Sequence, residues 1–391
     1  MNKIFFFALF GVFFSANLYA ESQCVPIGTW VDTKTKKQVA VTDILKTVTA
    51  KKVILLGEDH DNEEHHRWQL SMIAQAYSRN PNIAIGFEMF PRAAQTVLDD
   101  WVAGELSEAE FLKQTKWHEV WNYNPAYYLP MFHFARINRI PMYALNIPRA
   151  MVSQIGELGW SSLSEKSKES IGVPAPATPE YRKMMLEVFQ QHRTHGKEID
   201  DTNGESGGPA ENYFLQGQLA WDRAMAGGVI KALAHEKIET IVGVMGAGHI
   251  IPTMSVPYQL SFLGVKDTVS LMPWDDSMPC DDFSDEFADY VYGVDKKDVH
   301  GRKGPYSRAR LGVYLELVEL GVQITRVVDD SVAAKTGLQK DDIITEIAGK
   351  PATDVRDVVN AVNAMAPGTW LPIEILRLKK KIQYVAKFPA G

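Results

Sequence analysis

Two short stretches carry the residues best suited to chemistry. Gly57-Glu58-Asp59-His60 and Gly246-Ala247-Gly248-His249 share the form Gly-x-x-His. With 28 glycines and 10 histidines, chance alone gives about 0.7 such pairs, so the count says little. The placement says more. Each copy follows a short apolar run, Val53 to Leu56 and Ile241 to Met245, of the kind that forms a buried parallel strand. Two similar runs, Ile83 to Phe87 and Pro141 to Leu145, are followed by Glu88 and Asn146. Ligands of open α/β sheets bind beyond the carboxyl ends of the strands. Singly, each of these polar residues is an ordinary loop or cap residue. Four strands delivering polar groups to one edge argue for a site. The glycines are expected to let the chain turn sharply, so that the imidazoles project over the strand ends.

The chemistry open to this set is twofold. His60, His249 and a carboxylate suit zinc, manganese, cobalt or iron, and the other carboxylate of the Glu58/Glu88 pair could then act as a general base on water. Alternatively, the carboxylates orient the imidazole rings by hydrogen bonds. The run Asp61 to Arg67 reads as the start of a helix reaching Tyr77. On it, His65 and His66 point about 100° apart, so at most one is expected to face the site. His66 aligns with Leu70, Ile73 and Tyr77, an inward face. A further dense stretch holds Trp117, His118, Trp121, Tyr123, Tyr127, Tyr128, Phe132, His133 and Phe134. It is either a core helix with its approach or a wall for a flat hydrophobic ligand. Tyr and His are both axial ligands of haem iron. No Cys-x-x-Cys-His occurs, which excludes covalent c-type haem.

The chain that must position these groups has 391 residues and a net charge of −7, with 46% hydrophobic and 23% charged residues. That composition excludes a disordered or fibrous chain, and the acidic balance argues against a nucleic-acid partner. The length predicts two domains. Residues 1–20 have the layout of a secretory signal peptide: Lys3, an apolar run from Ile4 to Phe14, and a cleavage point after Ala20. The run is well short of the ~20 residues a membrane span needs. The expected location is therefore exported and periplasmic. Cys24 and Cys280 could then form a disulfide or remain free thiols, or Cys24 could carry a lipid and associate the protein with a membrane. Glu21-Ser22-Gln23 does not resemble a lipoprotein processing site.

Residues 25–280 hold eight of the nine tryptophans and nine of the ten histidines. Residues 306–391 hold only Trp370 and no histidine, and 281–305 reads as a linker. Gly196 to Pro209 reads as an exposed loop. The first domain alternates strands and helices, among them a capping box at Ser107 to Glu110 and a long helix from Tyr213 to Leu233. The expected fold class is α/β, a mostly parallel sheet flanked by helices, followed by a small β-rich domain.

Several pieces, taken in order, resemble the ChaN-like haem-binding uptake family of the Tiki superfamily. They are Leu56-Gly57-Glu58-Asp59-His60-Asp61-Asn62, Phe87-Glu88-Met89-Phe90, Trp117…Trp121…Tyr123, Ala144-Leu145-Asn146-Ile147-Pro148-Arg149, Gln218…Trp221-Asp222…Met225-Ala226 and Gly246-Ala247-Gly248-His249. The resemblance spans about residues 40 to 275. It implies an exported protein of bacterial iron uptake that binds haem or another iron source. In the family, haem binds at a dimer interface with a tyrosine ligand and an assisting histidine. Tyr123, Tyr127 and Tyr128 are the candidate tyrosines here, so a homodimer is also implied. The wider superfamily includes Tiki-type metalloproteases and erythromycin-esterase-like hydrolases, which use paired Gly-x-x-His motifs and acids. Under that alternative Glu58 and Glu88 would be catalytic.

The C-terminal stretch resembles a bacterial PDZ domain. Arg310-Leu311-Gly312-Val313 matches the carboxylate-binding loop, and Ser331 to Ile344 followed by Ile347-Ala348-Gly349-Lys350 is the stronger match. Such a domain captures a peptide or protein C-terminus by adding it as a strand to a sheet edge. The remaining alternative is a scaffold protein that uses only this groove.

Overall fold

The computed structural model describes residues 24–195, 209–275, 278, 280, 283–284, 287–295, 310–363, 365 and 368–389. The leader at 1–20, the loop at 196–208 and positions 296–305 of the expected linker lie outside the described residues. The chain divides into two compact units, residues 1–297 and 298–391.

The first unit is built on an eight-stranded sheet. Its strands are β1 (Trp30–Asp32), β2 (Lys37–Val39), β3 (Val53–Leu56), β4 (Ile83–Pro91), β5 (Met142–Asn146), β6 (Thr240–Val244), β7 (Thr268–Trp274) and β8 (Tyr290–Gly293), in the order β2-β1-β8-β7-β3-β6-β4-β5. Only the β1 pairings are antiparallel. The central strands are continuous apolar runs because both faces are covered. Alternate residues of β3 show this directly. Ile54 and Leu56 enter a core with Phe87, Trp101 and Phe132, whereas Val53 and Leu55 enter another with Met225, Val229 and Leu260. The open edge of β5 is covered by Gln95. Its amide accepts from Ala144 N–H at 2.9 Å and donates to Met142 O at 2.8 Å, imitating a further strand.

β3 and β6 are neighbours, with Leu56 opposite Val244. The two Gly-x-x-His turns therefore emerge side by side. The pairing even continues past the strands, since Met245 N–H donates to Leu56 O at 3.2 Å and Ala247 N–H to Glu58 O at 2.9 Å. β4 runs on to Pro91, so Glu88 sits inside the strand rather than after it.

The linker expectation needs correcting over its first half. β8 pairs with β7 and β1, and Phe283, Ala288 and Val291 are buried. Their apolar side chains hold this stretch in the first unit. Cys24 and Cys280 form a disulfide, with Cα atoms 5.7 Å apart, which ties the start of the described chain to the segment after β7.

The second unit is an antiparallel sheet of β9 (Val313–Val318), β10 (Gly321–Val327), β11 (Ile343–Ile347), β13 (Trp370–Arg377) and β14 (Lys380–Lys387), in the order β14-β13-β11-β10-β9, with β12 (Lys350–Pro351) on β11. Val355–Asn363 is a helix that buries Val358 and Val362. The buried carboxylate of Asp342 is held by Arg377, through Nε at 2.6 Å and Nη2 at 2.7 Å. No helix among the described residues is long and apolar enough to cross a membrane.

The disulfide closes a loop of sequence separation 256. By loop-closure entropy it should contribute up to about 5 kcal/mol. Cys280→Ser, or reduction of the wild type, is expected to lower the urea midpoint clearly, and thiol titration of the unreduced protein should find no free cysteine.

Candidate functional site

The two turns deliver their imidazoles to one cleft. After β3, Glu58 is buried and its Oε1 accepts the Nδ1–H of His60 at 2.6 Å. After β6, the short turn Ala247–His249 carries His249, whose Nδ1–H donates to Asp222 Oδ1 at 2.6 Å. Asp222 comes from the helix Pro209–Leu233 and is itself buried. Glu88 closes the floor. Its Oε2 accepts the Gly246 N–H at 2.7 Å, and its Oε1 lies 3.5 Å from His249 Nε2. The cleft, about 420 Å³, is lined by Glu58, Asp59, His60, Asp61, Tyr123 and Gly246 to His249.

The motif glycines are needed for space. Neither Gly57 nor Gly246 has positive φ, which corrects the expectation of a sharp turn. A Cβ on Gly57 would lie 2.5 Å from Met272 Sδ. One on Gly246 would lie 2.8 Å from His60 Cε1. The second glycine thus lets the first motif's ring pack against the second motif's backbone.

Burial and the neighbouring charges together set the charge states. It pushes the Glu58 carboxyl up to about 7, although the hydrogen bond and charge of His60 pull the other way. Burial opposes the charged form of His249, but the Glu88 charge and the hydrogen bond to Asp222 outweigh it and push the ring up to about 9. His60 is likewise raised against its burial, chiefly by Glu58. Burial also raises Asp222. Two carboxylate oxygens, Glu58 Oε2 and Glu88 Oε1, are buried without a hydrogen-bond partner. Leaving such atoms unsatisfied costs about 1–3 kcal/mol each. They are ready to accept from a ligand donor or to face a cation. Among the described residues, no three His, Cys, Asp or Glu side chains are grouped to hold a metal ion. The side chains expected as ligands are instead hydrogen bonded as carboxylate–imidazole pairs, the arrangement expected of carboxylates that orient rings.

The remaining candidates separate clearly. Tyr123, 37% exposed, lines the cleft with its ring 5.0 Å from His60. Trp121 packs edge-on to His60 at 4.5 Å. Trp117 holds the Tyr123 backbone through its indole N–H at 2.7 Å. Burial, then the charges of Asp61 and Glu58, raise the Tyr123 phenol, while Arg149 opposes them. Tyr128 is fully buried and donates its hydroxyl to His60 O at 3.1 Å, so it braces the turn and cannot meet a ligand. Tyr127 is half-buried and stacks on His66 at 5.8 Å. Both His65 and His66 are buried, but only His66 comes within 4 Å of Glu58, at 3.8 Å. Its ring is engaged with Gln69 at 3.0 Å and His60 O at 3.3 Å, and burial depresses it to about 4. Asn146 is also a brace, donating to Glu88 O at 2.8 Å and accepting from Ile147 N–H.

Asp222, Tyr181 and Gln69 were not legible as site residues. The Tyr181 hydroxyl donates to Asp222 Oδ2 at 2.7 Å, and Gln69 donates to Leu56 O at 3.0 Å. Tyr181 and Asp222 sit on helices distant in sequence from the residues they hold, whereas Gln69 lies on the helix that follows the first motif. Asp222 fell within one of the family-like pieces and is an acid among small apolar residues of a long helix, but neither signal assigned it to the cleft.

In the second unit, Gly312 has φ +81°, and a Cβ there would collide with Ser331. Leu311 is buried in the core, and Arg310 is exposed. The Leu311 and Gly312 carbonyls accept from Ala333 and Val328 N–H at 2.8 and 2.9 Å. Val313 then opens β9, which among the described residues is an edge strand, paired only with β10.

Comparison with known proteins agrees with this architecture. Residues 44–260 match the family model described as haem-binding uptake, Tiki superfamily, ChaN, and residues 309–386 match that of the PDZ domain. The solved structure of ChaN from Campylobacter jejuni with cofacially bound haem superposes with a TM-score of 0.50 at 18% identity, covering 67% of this chain and 95% of that one. The periplasmic serine endoprotease DegP of Escherichia coli is 27% identical over 184 residues, which are 46% of this chain and 34% of DegP. A probable periplasmic DegP-like endoprotease of Pseudomonas fulva is 33% identical over 96 residues, which are 22% of this chain and 20% of that protein. The chain thus spans about a third or less of the length of these curated relatives.

With a folded-state value of about 9 against 6.5 unfolded, His249 keeps its proton in the folded state between those pH values. Its stabilising contribution is complete below pH 6.5 and is lost as pH rises to 9, by at most about 3 kcal/mol. His249→Gln is expected to flatten the fall of the urea midpoint across that window. An unchanged slope would mean that the ring is not held protonated.

Proposed function

The chain belongs to the haem-binding uptake family of the Tiki superfamily, ChaN, and from that premise we propose that it is an exported haem-binding protein whose PDZ domain captures a peptide C-terminus. The observation that carries the haem reading is the exposed Tyr123 phenol at the mouth of the cleft, beside His60 and Trp121. A phenol is an iron ligand, and the neighbouring rings offer flat apolar contact. The donor set therefore fits haem as cargo. Export is supported by the signal-like leader and by a disulfide, which persists in oxidising compartments. Pairing of two copies around haem is part of the same reading.

Peptide capture is supported by the edge position of β9 and by the Arg310–Val313 loop, in which Gly312 has φ +81° and the Leu311 and Gly312 carbonyls are held by Ala333 and Val328. A second reading, a metal-dependent hydrolase, is favoured by one specific observation. Glu58 Oε2 and Glu88 Oε1 are unpartnered acceptors beside two oriented imidazoles. Such an ion would supply a Lewis acid, with His60, His249 and a carboxylate as the residues to hold it. Elemental analysis of wild type against His60→Ala/His249→Ala separates the readings.

Haemin titration of the full chain should give a saturable Soret band. Tyr123→Phe should weaken haemin by about tenfold or more, and Tyr127→Phe by less than about twofold. A flat wild-type titration with the fold retained would remove the haem reading. For the second unit, fluorescence polarisation with a library of peptides bearing free C-terminal carboxylates should find binders. Gly312→Ala should lose at least about tenfold for them, and amidation of the peptide should have the same effect.

A further inference from the structure

The helix Pro179–His195 lies outside every motif that marks the cleft, and its Tyr181 does not line the cleft. Tyr181 is nonetheless fully buried, and its hydroxyl reaches a polar partner at the one point that matters. It donates to Asp222 Oδ2 at 2.7 Å, while Asp222 Oδ1 accepts the Nδ1–H of His249 at 2.6 Å. Each oxygen of one buried carboxylate is thus assigned to one donor, and the two donors come from different elements. Around Tyr181 the packing is otherwise apolar, from Met185, Leu215, Leu219 and Met254. A core tyrosine that only filled volume would be replaceable by phenylalanine at no cost to the site. Here the hydroxyl fixes the rotation of the carboxylate that fixes the imidazole.

We propose that Tyr181 is a positioning residue of the cleft, acting through Asp222 to hold the His249 ring with Nε2 turned toward Glu88 and the ligand. The proposal rests on the reading that the cleft binds haemin, and it adds that the Pro179–His195 helix sets how well it does so. Tyr181→Phe keeps the ring and removes only the O–H. Asp222 Oδ2 then loses its donor, and the carboxylate is free to turn.

The test is a double-mutant cycle on the full chain, with haemin as the probe. Tyr181→Phe should weaken haemin about fivefold, the size of one hydrogen bond, in the wild-type background. In the His249→Ala background it should have no effect. Where wild type binds haemin, an equal loss in both backgrounds, or none in either, overturns the proposal. A second readout needs no haem. In ¹⁵N-labelled protein, the imidazole N–H signal that disappears in His249→Ala should shift in Tyr181→Phe. If it does not move, the positioning role is refuted. If the signal shifts but wild type binds no haemin, the cleft reading fails while the positioning role stands.

Discussion

Holding two part-buried imidazoles against buried carboxylates at the ends of adjacent parallel strands is the constraint that shapes most of this unit. Charged and polar groups leave water only when each finds a partner. His60 has Glu58 and His249 has Asp222, both through Nδ1 at 2.6 Å. Meeting that demand fixes much else. Gly57 and Gly246 must lack a Cβ, because Met272 and His60 occupy the space. Gln69 and Tyr128 hold the backbone of the first turn, and Asn146 holds the strand that carries Glu88. The atoms left over, Glu58 Oε2 and Glu88 Oε1, are the ones a ligand can use.

Much of the fold was legible because buried parallel strands read as continuous apolar runs. Val53 to Leu56 and Ile241 to Met245 were recognisable on that ground, and so were the polar residues just past them. The polar positions at the carboxyl ends of the apolar runs bring Glu58, His60, Glu88 and His249 to one place without any further signal. Contacts across long sequence distances left no such trace. Tyr123, Tyr127 and Tyr128 look equivalent in sequence. Only packing decides that Tyr128 is sealed against the first turn and Tyr123 faces the cleft. β8 was read as linker because Tyr290–Gly293 is short and sits in a charged stretch. Its strand character comes from pairing with β7 and β1, which the local sequence does not encode.

The two units offer different surfaces for recognition. The cleft of the first presents the rings of Trp121 and Tyr123 beside His60 and the paired imidazoles and carboxylates, a setting that suits a flat ligand with a Lewis-acidic centre. The second offers a strand edge beside the Arg310–Val313 loop, a setting that suits an extended chain. On the proposed reading, the first would take a cofactor-sized cargo and the second a protein end. Their presence in one chain would let a haem carrier be directed to a particular protein end.

The most direct measurement is a crystal structure of the full chain grown with haemin. The account requires a porphyrin stacked at the mouth formed by Trp121, Tyr123 and His60, with the Tyr123 oxygen on iron. Haem bound elsewhere, or held by another side chain with Tyr123 facing away, would contradict it.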